Sequence, residues 1–308
     1  MKQTLETNQN VQTSESEVNQ KTLKVNSVES NSVLTILIKI LQYVVCIALA
    51  ILSIAPFYIM IVNATRDTYQ IQQSAISLIP GTAMVQNYKI LVGKSFHPLV
   101  GFMNSFIIAG CSTVLAVYFS SLTAYAQVVY EWKLKRAFFS FIMAIMMIPG
   151  QVVMIGFYQM VYKVGLTNNM LMLILPAIAS PSMVFFMRQY LQPALSLEIV
   201  QSARIDGAKE FAIFHKIVLP IMKPAIATQA ICSFVSVWND LFRPLVLLTK
   251  QDKYTMPIMV SLLKGDIYKK EYGSIYMGLT ITVLPLIIVY IFLSKYIIAG
   301  VALGSVKG

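Results

Sequence analysis

The chain has 308 residues, of which 57% are apolar and only 12% are charged, about half of the ~25% usual in soluble proteins. A soluble domain of this length needs more charge to cover its surface, so the composition and a mean hydropathy of +0.69 indicate a membrane protein. The net charge of +11 would suggest a nucleic-acid partner for a soluble protein, but here it is typical of cytoplasmic loops that face anionic membrane lipid, and no nucleic acid is expected.

The N-terminal segment 1–32 is rich in Gln, Asn, Ser, Thr and Glu and has no aromatic residue. Such a segment cannot bury enough apolar surface to offset the entropy of ordering it, so we expect a disordered cytoplasmic tail. It does not resemble a signal peptide, because the apolar run that follows starts too late and is too long. The remainder, 33–308, is predicted to form one transmembrane domain.

Six apolar segments follow the tail, each comparable with the ~20 helical residues that span a bilayer. They lie near 33–62, 99–128, 138–161, 170–187, 225–248 and 275–298. The sequence therefore predicts an all-α membrane protein with six transmembrane helices. The cysteines in these runs, Cys46, Cys111 and Cys232, are expected to be small buried residues.

The distribution of Lys and Arg predicts that both termini are cytoplasmic. With this orientation, 14 basic residues lie at the inner face, and 9 lie in the outer loops 63–98, 162–169 and 249–274. The bias is modest because the last outer loop is itself rich in Lys.

The inner loop 188–224 is too long for a simple connection and is not loop-like in composition. Ser196 can cap a helix that begins at Leu197, and Gly207 can take the left-handed conformation that ends it. Asp206 is expected to accept a hydrogen bond from nearby backbone amides.

A second short helix is predicted from Ala208 to Leu219, and Pro220 and Pro224 are predicted to mark a turn into the fifth span. Periodicity alone leaves two interpretations of the helix pair. It can form a docking surface for a partner protein, or it can lie as an amphipathic hairpin on the lipid head groups.

A motif in this loop resembles the EAA motif of the membrane subunits of binding-protein-dependent ABC importers. The family pattern is an EAA triplet, a glycine shortly after it and an Ile-x-Leu-Pro run. The matching residues are Gln201-Ser202-Ala203-Arg204-Ile205-Asp206-Gly207-Ala208 and Ile217-Val218-Leu219-Pro220. The resemblance extends to Lys223-Pro224-Ala225, Trp238-Asn239-Asp240 and Gly304-Ser305-Val306-Lys307-Gly308, the last similar to the Gly-Ala-Val-Lys-Gly ending of the maltose-type G subunit.

The resemblance implies a carbohydrate permease with the type I ABC importer fold, a multi-pass protein of the bacterial plasma membrane. Its coupling helix would fit a cleft in a cytoplasmic ATPase dimer, which binds ATP-Mg, so no cofactor is expected in this chain. The other implied partners are a second homologous permease, an extracytoplasmic solute-binding protein, a sugar and membrane lipid. The implied coupling residues are Gln201, Ser202, Ala203, Arg204, Asp206, Gly207, Ala208, Leu219 and Pro220.

Two positions depart from the family motif. Gln201 stands where the family has Glu, and Ser202 stands where it has Ala. Gln keeps the size and the hydrogen-bonding reach of Glu but lacks the charge that a salt bridge to the ATPase requires.

A second candidate group is Trp238, Asn239, Asp240 and Arg243 in the fifth predicted span. Charged residues inside an apolar span are costly unless they face protein or water, so they suggest a substrate pathway. An aromatic ring and polar groups together also suit a sugar. The alternative is structural: Asp240 and Arg243 pair, and Trp238 packs between helices.

The sequence offers no catalytic or metal site. Gly93-Lys94-Ser95 resembles the end of a phosphate-binding loop, but Tyr88 stands where an earlier glycine is required. His97 and His215 are isolated in the sequence. An integral-membrane enzyme is therefore disfavoured, whereas an ion-gradient-driven secondary transporter and a permease for a non-sugar solute remain alternatives.

Overall fold

A computed structural model describes residues 35–93, 96–264 and 270–305. The predicted tail 1–32, the positions Lys94 and Ser95 and the C-terminal 306–308 lie outside the described residues. Across the described ranges the chain forms helices and turns and no β-strand.

The helices are named here in chain order. They are α1 (Thr35–Ala64), α2 (Thr68–Gln73), α3 (Met84–Gly93), α4 (Pro98–Val129), α5 (Lys135–Met146), α6 (Gly150–Lys163), α7 (Leu171–Ile174) with a 3-10 turn (Leu175–Ile178), α8 (Pro181–Ala194), α9 (Leu197–Ile205), α10 (Glu210–Ile213) with a π-helical turn (Phe214–Val218), α11 (Leu219–Trp238), α12 (Phe242–Leu247), a 3-10 turn (Gln251–Lys253), α13 (Met256–Lys264) and α14 (Tyr272–Ser305).

The chain divides into two compact units, Met1–Ile59 and Met60–Gly308. The described part of the first unit is the larger part of α1. In the second unit α4 is the central helix and packs against α8 and α11. Helix α14 packs against α3, α11 and α13, and α5 packs against α8.

Four stretches of the described chain are long and apolar enough to cross a membrane: Thr35–Ala64, Pro98–Val129, Leu171–Ala194 and Glu210–Trp238. The pair α5 and α6 qualifies as a fifth, broken span with a bend of 94°. Pro149 precedes α6, which accounts for the bend because proline disfavours a helical residue before it. The apolar part of α14, Tyr272–Ile288, has fewer residues than a helix needs to cross a membrane. The count of six stays a prediction.

The predicted turn at Pro220 and Pro224 is wrong, because one helical stretch runs from Glu210 to Trp238. The π-helical turn shifts the backbone register just before Pro220: the Leu219 amide donates to the carbonyl of Phe214, five positions back. Pro220 then lies in the first turn of α11, where a proline is tolerated. The helix also ends at Trp238 rather than near 248.

Buried apolar residues from α4, α8, α9 and the stretch from α10 into the start of α11 form one cluster, here named the loop-side cluster. Its members include Ala124, Tyr125, Met187, Leu191, Val200, Ala203, Ile213, Phe214, Val218 and Met222. It fixes the loop after α8 against α4. The expectation of buried cysteines is wrong, since Cys46, Cys111 and Cys232 are exposed in this chain on its own.

Candidate functional site

Helix α9 begins as its sequence predicts. Ser196 is its N-cap, and the Ser196 hydroxyl oxygen accepts a hydrogen bond from the Glu198 amide at 3.3 Å. Glu198 lies in the first turn, where the helix dipole favours a carboxylate. These two residues fix the start of a helix directly after α8.

The end of α9 is fixed by a Schellman motif around Gly207, as expected. Gly207 has φ 80°, in the left-handed region that favours glycine. Its amide donates to the Arg204 carbonyl, and the Ala208 amide donates to the Ala203 carbonyl, both at 3.0 Å. The turn between α9 and α10 is therefore closed by backbone hydrogen bonds and has a defined geometry.

Helix α9 has one buried face and one exposed face. Val200 and Ala203 belong to the loop-side cluster, with exposed fractions of 0% and 8%. Gln201 and Ser202 are exposed, and the Ser202 hydroxyl donates to the Ile199 carbonyl of its own helix at 3.0 Å. Of the two motif positions that depart from the family, only the Gln201 side chain has no hydrogen bond within the described chain.

Large apolar side chains are exposed beside the Gly207 turn. Ile205 is 86% exposed and Phe211 is 69% exposed. Leu197 and Ile199 of α9 are about half exposed. An apolar patch of this kind on a polar loop is typical of a protein-binding surface. None of these four residues is among the coupling residues that the family resemblance implies.

The carboxylate of Glu210 is the polar centre of the loop. Arg204 Nε donates to Glu210 Oε1 at 2.6 Å. The hydroxyls of Tyr125 and Tyr130 donate to Glu210 Oε2 at 2.7 and 2.5 Å. Tyr125 lies in α4 and Tyr130 directly follows it, so this carboxylate joins the loop to the end of α4.

The protonation states of Arg204 and Tyr130 favour their hydrogen bonds to the Glu210 carboxylate. The hydrogen bond to Glu210 raises the pKa of Arg204, which stays protonated. Burial, and then the hydrogen bond donated to Glu210, raises the pKa of Tyr130, which stays a neutral donor. The Arg204 guanidinium also lies 5.4 Å from the centre of the Tyr130 ring. At neutral pH every partner is in the state that its hydrogen bond requires.

The structure brings most of the predicted loop residues together. Ala208 and Leu219 pack against the loop-side cluster beside Ala203. Pro220 lies in an open groove between α4 and α11. The expectation for Asp206 is wrong: it is the C-cap of α9, and no amide of the described residues donates to its carboxylate.

The second predicted group lies at the other end of α11, whose 20 residues correspond to about 30 Å of helix. Trp238 is only 1% exposed and packs between Phe102 and Phe234, with ring centroids 5.5 and 5.7 Å away. Its indole Nε1 donates to the Thr282 carbonyl at 3.4 Å. Trp238 is therefore a packing residue, as predicted by the structural alternative to a substrate pathway.

Asp240 and Arg243 form an ion pair outside α11. Asp240 Oδ1 also accepts the amides of Phe242 and Arg243, which caps the start of α12. Arg243 is half-exposed and lines a largely apolar cavity of about 570 Å³ between α6, α7 and α12. Asn239 is the C-cap of α11, and its side chain donates to the Val235 carbonyl.

Within the described ranges, no three His, Cys, Asp or Glu side chains lie close enough to hold a metal ion. His215 instead contacts its own helix and α4: Nδ1 lies 2.8 Å from the Phe211 carbonyl and Nε2 lies 3.4 Å from the Tyr118 hydroxyl.

Comparison with known proteins gives concordant results. Residues 116–302 match the family model of the binding-protein-dependent transport system inner membrane component. The chain is 36% identical over 264 residues to the arabinooligosaccharides transport system permease protein AraQ of Halalkalibacterium halodurans, covering 84% of this chain and 93% of that protein. It is 33% identical over 268 residues to the lactose transport system permease protein LacG of Rhizobium radiobacter, covering 87% and 96%.

A solved structure has the same fold. It is the crystal structure of a bacterial ABC transporter involved in the import of the acidic polysaccharide alginate. The match has a TM-score of 0.74 at 22% identity and covers 84% of this chain and 96% of that chain. At this identity the match establishes the fold alone.

Proposed function

Because the chain belongs to the family of binding-protein-dependent transport system inner membrane components, we propose that it is the permease subunit of an ATP-driven ABC importer for a sugar or oligosaccharide. It forms half of a translocation pathway that alternates between outward and inward access. A second homologous permease supplies the other half, an ATPase dimer supplies the energy, and an extracytoplasmic binding protein delivers the solute.

The observation that carries this proposal is the architecture of the loop between α8 and α11. Helix α9 presents Gln201 and the exposed Ile205 to a partner, and Phe211 extends the apolar patch beyond the Gly207 turn. The opposite face of α9 is buried in the loop-side cluster. A short helix with one face anchored and one face free is suited to insertion into a cleft of the ATPase.

Transmission of motion requires that the loop moves together with a transmembrane helix. The Schellman motif fixes the shape of the turn, and the Glu210 carboxylate attaches it to the end of α4. Movement of α9 by the ATPase is therefore passed to α4 and, through the unbroken stretch Glu210–Trp238, to the opposite end of α11.

The substrate class rests on the relatives. One is named as an arabino-oligosaccharide permease and another as a lactose permease. Asp240 and Arg243 are the proposed contribution of this chain to the pathway, since Arg243 lines the cavity between α6, α7 and α12. A non-sugar solute is the alternative, and it is distinguished by binding assays on the partner binding protein.

The proposed topology has six spans with both termini in the cytoplasm. It counts α5 and α6 as one bent span and α14 as the sixth, and it places the tail 1–32 and the loop 188–224 inside. This orientation follows the positive-inside bias and places the proposed ATPase-binding surface on the side of the membrane that holds ATP.

An ion-gradient-driven transporter is less consistent with the molecule. Such proteins bind their coupling ion through ionisable groups near the membrane midplane. Asp240 and Arg243 lie beyond the end of α11 and neutralise each other.

Co-purification and uptake test the proposal together. The tagged chain, produced in its own cells and extracted in mild detergent, should carry a nucleotide-binding subunit. Membrane vesicles loaded with ATP should then take up the solute in the presence of the binding protein and a protonophore. Isolation of the chain without such a subunit, or uptake that the protonophore abolishes, would refute it.

A further inference from the structure

A polar cleft lined by α4, α5 and α8 has no role in the proposed function. It has a volume of about 680 Å³ and lies where α4 ends, α5 begins and α8 passes. The residues that define its chemistry are Gln127, Lys133, Lys135, Arg136, Arg188 and Glu131. Its lining thus has four basic side chains and one acidic side chain.

The acidic side chain does not neutralise the cleft. Glu131 pairs with Lys135, with Lys135 Nζ 2.7 Å from Glu131 Oε1, and its own side chain is 87% exposed. Within the described part of the chain, Lys133, Arg136 and Arg188 have no carboxylate within ion-pair distance. The cleft therefore concentrates uncompensated positive charge, which favours an anion.

The Arg188 side chain packs on an aromatic ring and keeps one N–H donor without an acceptor among the described residues. Its guanidinium lies over the ring of Phe139, 4.1 Å from the ring centre, and Phe139 stacks on Phe185 of α8. This contact fixes the guanidinium plane. Its Nε is buried and has no acceptor among the described residues. Buried donors are almost always satisfied, so this N–H points to a ligand.

Gln127 is a second unsatisfied group in the cleft and is independent of the charge. It is only 2% exposed, and its Oε1 is buried without a hydrogen-bond partner in the part of the chain that the structure describes. A buried side-chain amide oxygen needs a donor, and an O–H or N–H group of a ligand can supply it. Arg188 offers a donor to a phosphate oxygen at the same site.

Exposed aromatic side chains surround the cleft, as is typical of the membrane interface. Trp132 and Phe138 are each 41% exposed and in contact, with ring centroids 5.7 Å apart, and Phe141 is 61% exposed. Lys133, Lys135 and Arg136 lie between Trp132 and Phe138 in the chain, where α5 begins. A tryptophan beside lysines at a helix end is typical of the lipid head-group level.

We propose that this cleft binds the phosphate of an anionic phospholipid head group from the inner leaflet. Arg188 and the neighbouring cations bind the phosphate, Gln127 accepts a head-group hydroxyl, and the acyl chains lie along the exposed apolar side of α5. Basic pockets between transmembrane helices on the cytoplasmic side bind such head groups. The inference rests on the proposed function only through the topology that places the end of α4 inside.

The test uses the full chain, purified with the subunits that accompany it, and native mass spectrometry with short-chain phosphatidylglycerol, short-chain phosphatidylcholine and inorganic phosphate. Phosphatidylglycerol should bind, and Arg188→Gln should weaken that binding about ten-fold, the loss expected for one charge-assisted hydrogen bond. Lys216→Gln is the matched control, since it removes one exposed charge outside the cleft and should leave binding unchanged.

The double variant Lys133→Gln, Arg136→Gln distinguishes a loss of lipid binding from a folding defect. Both side chains are exposed, so their replacement should weaken lipid binding without lowering the melting temperature. Equal effects of Arg188→Gln and Lys216→Gln, or equal affinity for phosphatidylcholine, would overturn the proposal. Displacement of phosphatidylglycerol by millimolar inorganic phosphate would identify a site for a soluble anion and overturn it as well. The ATPase that co-purifies reports on the proposed function separately.

Discussion

Arg204 and Glu210 join the two sides of the Gly207 turn, with Arg204 Nε 2.6 Å from Glu210 Oε1. The other oxygen of the same carboxylate accepts the hydroxyls of Tyr125 and Tyr130. One short ion pair thus orients a carboxylate toward the end of α4. The loop is held to the transmembrane domain by directional bonds in addition to the loop-side cluster.

Substitution of the two partners should have unequal effects. Arg204→Gln removes one partner of a surface ion pair whose side chains are 36% and 44% exposed, so we expect a loss of about 0–1 kcal/mol. Glu210→Gln weakens three hydrogen bonds to a charged acceptor, and we expect a loss of about 1–3 kcal/mol in the free energy of unfolding. Unfolding in mixed micelles measures both values.

A double-mutant cycle supplies the control. The loss in the double variant should be smaller than the sum of the single losses, because both changes remove the same contact. Additive losses would show that Arg204 and Glu210 act independently. In either single variant, reduced uptake with an unchanged amount of bound ATPase would place the defect in coupling.

Alkaline pH should weaken the contribution of Tyr130. Its pKa is raised by burial and by the bond to Glu210, so the folded state favours the neutral hydroxyl. That contribution is complete below the unfolded pKa of about 10 and is lost as the pH rises above it toward the raised folded value. The stability difference between the wild type and Tyr130→Phe should be constant from about pH 6 to about pH 9 and shrink above about pH 10. A difference that changes between pH 6 and pH 9 contradicts this.

The local features of the loop were predictable because they depend on neighbouring residues. Ser196 caps the helix, and Gly207 takes positive φ, through interactions within a few positions of the chain. The wrong prediction of a turn at Pro220 also came from a local rule. Proline usually ends a helix, but the preceding π-helical turn changes the register, and nothing in the local pattern indicates such a turn.

The attachment to α4 was not predictable from the sequence. Glu210 follows Arg204 by six positions across a predicted turn, so their proximity could have been suggested. The hydroxyls of Tyr125 and Tyr130 come from a helix that is distant in the chain, and their approach depends on how α4 and α8 pack. The same holds for Trp238, whose packing against Phe102 decided between two interpretations that the sequence left open.

Gly207 offers a test of the backbone conformation. A Cβ at this position meets no atom of the described residues within 4 Å, so we expect a substitution to act through φ or through a partner protein. Gly207→Val should cost about 1–2 kcal/mol and reduce uptake, because a β-branched residue is disfavoured at positive φ. Gly207→Asn introduces a side chain of similar size that tolerates this conformation.

The two Gly207 variants distinguish an effect on the backbone conformation from a steric clash with the ATPase. Wild-type uptake with Asn and loss of uptake with Val supports the conformational role. Loss with both would point to a steric clash with the ATPase, and wild-type uptake with Val would exclude the proposed role of the turn. ATP-driven uptake by membrane vesicles is the measurement.

Trp238 and Arg243 should differ in the kind of defect they cause. Trp238→Ala removes a fully buried ring and should lower the free energy of unfolding by about 3–5 kcal/mol. Arg243→Gln alters a half-exposed ion pair and should cost no more than about 1 kcal/mol, while changing the KM of uptake if Arg243 contacts the solute. Unchanged uptake kinetics with Arg243→Gln would remove this residue from the pathway.

The most direct measurement of the central claim is site-specific photo-crosslinking of the loop to the ATPase. A photoreactive amino acid replaces Gln201 on the exposed face of α9, and in a matched control it replaces Gln251, which is exposed beyond the opposite end of α11. The coupling account predicts an adduct with the nucleotide-binding subunit from position 201 and none from position 251. Absence of an adduct at 201 in a transporter that still hydrolyses ATP and imports its solute, or an adduct at 251 instead, would contradict it.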